Sequence, residues 1–203
     1  MKHAIQIIGG EYRSRKIEVV DADGLRPTSS RVRETLFNWL QTIIPGAIVI
    51  DAFAGTGALG IEALSRGAKK AIFIEKDAAV FKTLQANIRL LKIPEERIVL
   101  VKANTLGALD PDNLAPAIMT AIREIEENGT RCHLFLDPPF FHDLYPELLK
   151  TLTHHPLLSL LTSLSIESPL KARIETASAL NPLSQFRTMK TKESLLEFYR
   201  AVD

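Results

Sequence analysis

Ile48-Val-Ile-Asp-Ala-Phe-Ala-Gly-Thr-Gly-Ala-Leu-Gly60 is the stretch that decides the fold. An apolar run ends in an acid and breaks into glycines before residues with helical apolar periodicity, so it reads as a strand, a tight turn and a helix start. Gly55, Gly57 and Gly60 keep the spacing G-x-G-x-x-G. Glycine serves there because the backbone must turn sharply and approach a ligand with no side chain in between. A second apolar run, Ala71-Ile-Phe-Ile74, ends in Glu75, placed where an acid accepts hydrogen bonds from ribose hydroxyls.

Dinucleotides and S-adenosylmethionine both use such a turn, and ligand charge separates them. Asp51 stands at the mouth of the first strand, just ahead of Gly55. A pyrophosphate on that turn would meet a carboxylate, whereas an ammonium and a sulfonium would be attracted by it. The acid favours the cationic ligand. An ordinary glycine-rich strand-to-helix turn with no ligand is the plainer alternative.

From Ile48 onward strand and helix alternate: Ile48 to Ile50, a helix near Ala58 to Arg66, Ala71 to Ile74, a helix near Ala78 to Leu91, then Ile98 to Val101. Such alternation implies right-handed crossovers and a parallel sheet with helices on both faces. A ligand then lies beyond the C-terminal strand ends, at the switch point. Asp51, Glu75 and Asn104 converge there from three strand ends. Asn104 either hydrogen-bonds an adenine amine or simply turns the chain. A helix is expected from about Asn113 to Glu127, stopped by Asn128-Gly129.

The second informative stretch is Cys132-His-Leu-Phe-Leu-Asp-Pro-Pro-Phe-Phe141, a buried strand expected beside the first and facing the same crevice. Pro138 and Pro139 remove two backbone donors and fix φ, leaving carbonyl oxygens and the Asp137 carboxylate as rigid acceptors. Acceptors alone suit a donor such as an exocyclic NH2, a poor nucleophile whose lone pair is delocalised into its ring. Hydrogen bonds to Asp137 and the Pro138 carbonyl would localise that pair and stabilise the positive charge that develops. Phe140 is placed to stack on a base swung out of its strand. The alternative is a loop start and nothing more.

Farther on, Leu144 to Leu152 reads as a helix and Leu160 to Ile166 as a strand ending at Glu167. Phe186 to Met189 and Leu195 to Tyr199 read as an antiparallel hairpin at the sheet edge. His154 and His155 fall in a loop with no convergent acid, which suggests exposed polar residues. At the other end, Ala4 to Val20 suggests a hairpin too small to stand on its own core. Val32, Leu36, Trp39, Leu40 and Ile43 then mark an amphipathic helix, with Trp39 on its apolar stripe, after a turn at Leu25-Arg-Pro-Thr28. Between Arg13 and Arg33, six basic residues (Arg13, Arg15, Lys16, Arg26, Arg31, Arg33) face Glu18, Asp21 and Asp23. Clustered arginines suit phosphates, though a solvated basic face reads the same way. Arg31 and Arg33 also sit in a first helical turn, where cations oppose the helix dipole, which favours a partner as their reason.

Across 203 residues, 46% hydrophobic content suffices for a full core, and 25 basic against 24 acidic residues leave no global field for a polyanion. Any nucleic-acid contact has to be local. A lone cysteine, Cys132, excludes an internal disulfide and reads as a buried filler, and no Cys/His cluster has zinc spacing, so no metal is expected. With neither a membrane-length apolar run nor a signal pattern, a cytoplasmic location is expected.

Asp51-Ala-Phe-Ala-Gly-Thr-Gly57 followed by Asp137-Pro-Pro-Phe140 resembles the seven-stranded S-adenosylmethionine-dependent methyltransferases that act on amino groups. More narrowly, Ile7-Ile-Gly-Gly10, Leu25-Arg-Pro-Thr28, Arg31-Val-Arg-Glu-Thr-Leu-Phe-Asn-Trp39, Gly57-Ala-Leu-Gly-Ile-Glu-Ala-Leu-Ser-Arg66 and Asp137-Pro-Pro-Phe140 are similar, in order and spacing, to the bacterial RsmD family. That family methylates the N2 of a guanine in small-subunit 16S ribosomal RNA. The resemblance implies an α/β, Rossmann-like, doubly wound, mostly parallel sheet of seven strands with an antiparallel C-terminal hairpin. A small N-terminal hairpin appendage, residues 1–27, would contact RNA, and residues 28–203 would form the methyltransferase domain.

It further implies that Asp51, Phe53, Ala54, Gly55, Thr56, Gly57, Glu75, Lys76 and Asn104 line an S-adenosylmethionine site. Asp137, Pro138, Pro139 and Phe140 would hold the guanine amine, and Arg13, Arg15, Arg26, Arg31 and Arg33 would grip RNA. The expected substrate is 16S rRNA within the assembled small subunit, met by a monomer without a metal or a membrane. After Phe140 the family often continues with basic residues, whereas Phe141-His-Asp143 follows here. An adenine-N6 or cytosine-N4 enzyme shares the Asp-Pro-Pro-Phe chemistry. A nicotinamide oxidoreductase shares only the glycines, with Asp51 against it. A non-catalytic RNA-binding module on the same fold is the remaining class.

Overall fold

The strand–helix alternation read from Ile48 builds one seven-stranded sheet, with a separate two-stranded hairpin ahead of it. The computed structural model describes residues 3–20, 29–139, 144–153, 155–170 and 180–201. The hairpin is β1 (His3–Gln6) and β2 (Lys16–Val19), followed by α1 (Ser30–Trp39). Next come β3 (Ile48–Asp51), α2 (Ala58–Ser65), β4 (Lys70–Ile74), α3 (Ala78–Leu91) and β5 (Ile98–Val101). The second half holds α4 (Thr105–Ala108), α5 (Pro116–Asn128), β6 (Cys132–Leu136), α6 (Tyr145–Thr153) and α7 (Pro156–Leu160). It ends with β7 (Ser163–Pro169), β8 (Leu183–Lys190) and β9 (Ser194–Ala201).

Strand order is β5-β4-β3-β6-β7-β9-β8, parallel from β5 to β7, with β9 antiparallel to both its neighbours. The chain winds outward from β3 to β5, then returns to lay β6 on the other side of β3, so the switch point falls between β3 and β6. Every residue of β3 and β6 is buried, which is why both read as mainly apolar runs, broken by Asp51 at the end of β3 and His133 in β6. Their side chains alternate between two cores. Ile48 and Ile50 join α4, α5, α6 and α7 on one face; Val49 joins α1, α2, α3 and the hairpin's Ile7, Tyr12 and Ile17 on the other.

The hairpin therefore borrows its core from the main domain. Gly10, at φ +78°, lies so close to α2 that an added Cβ would stand 1.7 Å from the Ser65 carbonyl oxygen. Glu11 N–H donates to that same oxygen at 2.7 Å, and Tyr12 N–H donates to Ser65 Oγ at 2.9 Å.

Several boundaries differ from the sequence reading. α5 starts at Pro116 rather than near Asn113, because proline suits the first helical position, where its missing N–H costs nothing. The short α4 and α7 were not expected. α7 also corrects the reading of His155, which is buried and caps that helix, accepting from Leu157 N–H at 2.9 Å through Nδ1. β7 runs three residues farther than expected, to Pro169, so Glu167 sits within the strand. Cys132 opens β6 fully buried, as expected of a small filler, with its thiol pushed up to about 12 by desolvation. The Leu25–Thr28 turn, with Arg26, lies outside the described residues, as do Phe140 and His154.

Candidate active site

Parallel pairing sets Asp51 of β3 opposite Phe73 of β4 on one side and Phe135 of β6 on the other. Glu75 and Asp137, each two residues farther along, thus flank the tip of β3 from both sides. Backbone bonds carry this alignment past the strands: Ala52 N–H donates to the Phe135 carbonyl at 3.1 Å, and Ala54 N–H to the Ile74 carbonyl at 2.9 Å. Two motifs more than 80 residues apart in the chain open side by side at the switch point.

The glycine turn leaves β3 and enters α2. Gly57 caps that helix at φ +95°, a left-handed conformation that a Cβ disfavours, and a Cβ there would also meet Leu84 Cδ1 at 2.6 Å. Gly60 serves a different end. A Cβ on it would lie 2.2 Å from Phe73, so its role is close packing of α2 on β4. Asp51, 1% exposed, accepts from Gly60 N–H at 2.9 Å through Oδ2, its one hydrogen bond among the described residues. Burial pushes this carboxyl up to about 7; the Gly60 amide opposes the shift and the charge of Glu75 adds to it.

Glu75 reaches back over the turn. Its two oxygens accept from Gly55 N–H at 2.9 Å and Asp77 N–H at 2.7 Å. Burial raises its pKa, against those amides. Two buried acids, one answered by the Gly60 amide and the other by the amides of Asp77, Gly55 and Lys76, are short of positive charge. Phe53 is half-buried, Ala54 and Thr56 are buried, and Lys76 is exposed beside them. Asn104 is exposed and caps α4, accepting from Leu106 N–H at 3.3 Å.

On the β6 side, Asp137 and Pro139 are half-buried and Pro138 is buried. Tyr145, the first residue of α6, donates its hydroxyl to the Glu167 carbonyl at 2.9 Å and approaches the Pro138 carbonyl at 3.5 Å. One phenolic proton thus spans the ends of β6 and β7. Burial, then the charges of Asp137 and Glu167, raise the Tyr145 pKa and keep the proton in place.

The basic cluster divides. Arg13, Arg15 and Arg31 are exposed, and Arg15 Nη2 donates to the Leu90 carbonyl at 3.1 Å. Arg33, expected among the arginines that grip RNA, is instead 2% exposed, with Nη1 at 3.8 Å from Glu62 and Nη2 donating to the Gln6 carbonyl at 3.1 Å, so it is directed into the protein. Its place in the first turn of α1 follows from a buried acid on α2. Burial lowers its pKa and Glu62 opposes that shift.

Three residues escaped the sequence reading. Glu62 collects Ile8 N–H, Gly9 N–H and Arg66 Nε within 2.9 Å, clasping the hairpin to α2. Asn87, 1% exposed, ties β2 to the glycine turn, donating to the carbonyls of Glu18 and Thr56 and accepting from Glu18 N–H, each at 2.9 Å. Both were visible as polar residues on apolar helical stripes, a signal that calls for a buried partner. Tyr145 carried no such signal. Among the described residues no group of three or more His, Cys, Asp or Glu is placed to hold a metal, and no helix is long and apolar enough to cross a membrane.

The family model described as Conserved hypothetical protein 95 matches residues 5–200. Ribosomal RNA small subunit methyltransferase D of Escherichia coli is 40% identical over 176 residues, covering 86% of this chain and 80% of its own. The chain belongs to the RsmD family. The Haemophilus influenzae member is 38% identical over 151 residues, covering 74% of this chain and 72% of its own. Among solved structures, that of Escherichia coli yhhF, a candidate methyltransferase, superposes with a TM-score of 0.73 at 32% identity, covering 98% of each chain. That superposition extends over nearly the whole of both chains, and the seven-stranded, mostly parallel architecture expected from the sequence is the one found.

Proposed function

We propose that this chain transfers a methyl group from S-adenosylmethionine to the exocyclic N2 of a guanine in small-subunit ribosomal RNA. The observation that carries the reading is the pairing of β3 with β6, which sets the Asp51 turn beside Asp137-Pro138-Pro139 at one end of the sheet. The names of the RsmD relatives support ribosomal RNA as the substrate. The charge-deficient pair Asp51 and Glu75 supports a cationic cofactor over an anionic one.

Asp51 and Glu75 would hold the cofactor's cationic and hydroxyl groups, with the backbone from Phe53 to Gly57, Lys76 and Asn104 around them. When bound, S-adenosylmethionine supplies an electron-poor methyl on a sulfonium. Asp137 and the Pro138 carbonyl accept the two N–H bonds of the guanine amine, which returns the nitrogen lone pair from the ring and aims it. The nitrogen would turn cationic as its bond to carbon forms and the carbon–sulfur bond breaks, with a neutral thioether as the leaving group, and both acceptors would stabilise that charge before a proton leaves toward Asp137 or water. Tyr145 fixes the Pro138 carbonyl without competing for it, since its proton lies closer to Glu167. Phe140 would stack on the base. The hairpin of residues 1–27, with Arg13, Arg15 and Arg26, and Arg31 on α1 would contact phosphates of the assembled subunit.

Incubation with radiolabelled methyl donor and small subunits from a strain lacking the modification, followed by nucleoside analysis, tests this. Labelled N2-methylguanosine is expected. Label in N6-methyladenosine or N4-methylcytidine, or no label at all, overturns the reading.

A further inference from the structure

Phe186 is 53% exposed on β8, the edge strand of the sheet. Edge strands usually carry charge and avoid large apolar groups, because an open edge with an apolar side chain invites aggregation. The register explains how the ring comes to be there. Gln185 pairs with Tyr199 and Arg187 with Phe198, so Phe186 is the extra residue of a β-bulge, a device that re-aims a side chain.

Two guanidinium groups rest against the ring, Arg187 at 5.3 Å and Arg200 at 5.0 Å from its centroid. Neither makes an ion pair or hydrogen bond with any described residue. The hairpin's two acids do not answer them. Glu197 is buried and accepts from Gln185 Nε2 at 2.6 Å and Tyr199 hydroxyl at 3.0 Å, and Glu193 lies in the turn at the opposite end of the hairpin from Arg200. Arg187 and Lys190 are exposed on β8, and Arg200 is half-buried on β9. Behind the ring, Phe198 packs edge-on at 6.1 Å and itself meets Trp39 of α1 at 6.2 Å. The patch is thus backed by the core on the face of the sheet that carries α1, whose first turn presents Arg31.

We infer that Phe186, Arg187 and Arg200 form a second contact for the substrate RNA, taking an unpaired base on the aromatic–guanidinium platform and its flanking phosphates on the two arginines. This rests on the proposed RNA substrate and adds a surface remote from the motifs that suggested it. Positive charge with no acid paired to it among the described residues fits a polyanion, and a flat ring among guanidiniums fits a stacked base better than a protein side chain. It also answers how a chain with balanced total charge holds RNA: the hairpin and α1 supply one contact and the C-terminal edge another.

The test is binding of unmodified small subunits to the full chain at several salt concentrations, with methyl transfer measured at saturating subunits. Phe186→Ala and Phe186→Leu should weaken binding on the order of tenfold or more with an unchanged salt slope, while Phe186→Trp retains it. Arg187→Ala with Arg200→Ala should lower the slope of log affinity against log salt by roughly 0.7 per lost contact. Turnover at saturation should not change in any of them. Wild-type affinity in both Phe186→Ala and Phe186→Leu overturns the inference. So does a sedimentation shift from dimer to monomer in Phe186→Ala, which would make the patch a contact between copies. If the wild-type chain binds subunits through this patch yet methylates nothing, the enzymatic reading fails and the contact stands.

Discussion

Glu62, within α2, and Asp51, at the tip of β3, are carboxylates 0% and 1% exposed, and their surroundings differ sharply. Glu62 meets two backbone amides and two guanidinium groups, all from this chain. Asp51 meets one amide; burial pushes its pKa up to about 7, and the like charge of Glu75 adds to the shift. A buried acid whose lone pairs are filled from within holds the fold together. One left short of donors is where the proposed cofactor would bind.

Asp137→Ala should give the largest effect, a fall in turnover of about 10²–10³ with cofactor affinity nearly intact, because its proposed contact is with the amine alone. Equal loss of cofactor binding in a calorimetric titration would place Asp137 with Asp51 and dissolve the division between the two halves of the site. Glu62→Ala comes next. It leaves Arg33 buried without its counter-charge and should lower stability by about 3–5 kcal/mol in a denaturant titration. Asp51→Asn, by contrast, should cost little stability and much cofactor affinity; the reverse pattern would break the comparison outright.

The acidity of Asp51 sharpens it. Its folded pKa of about 7 lies above the unfolded value of 3.8, so between those values the folded chain keeps a proton that the unfolded chain has released. Stability contributed by this group is therefore fully present at low pH and lost as pH rises through 7, a decline that Asp51→Asn should remove from melting curves. Binding of a cationic cofactor should run the other way, tighter at pH 8 than at pH 6, with proton release near neutrality. Tyr145→Phe should show a smaller effect, about 1 kcal/mol of stability, with turnover reduced more than cofactor affinity. The smallest concerns the basic cluster: Arg31→Ala should lower the salt slope of RNA binding by roughly 0.7, whereas Arg33→Ala should leave the slope alone and lower the melting temperature.

Arg31 and Arg33 show where sequence reading reached its limit. Two positions apart, they look alike on paper, yet one is exposed and the other is directed at a buried acid 29 positions away. No local pattern distinguishes them, because burial depends on which helix packs against α1. Phe186 is the converse. It reads as an ordinary strand residue, and only the bulge and the distant Arg200 turn it into a surface feature.

Local chemistry written in the sequence, a strand that ends in an acid and then glycines, and another that ends in an acid and then two prolines, sufficed for the fold class and for the position of Asp51, Glu75 and Asp137 at neighbouring strand ends. Period and turn residues act over a few positions, so they survive in any reading of the chain. Which buried charges are answered from within, and which are not, was decided by the tertiary structure alone. Pairing a charge requires groups from separate elements to meet, and packing, not sequence neighbourhood, chooses those meetings.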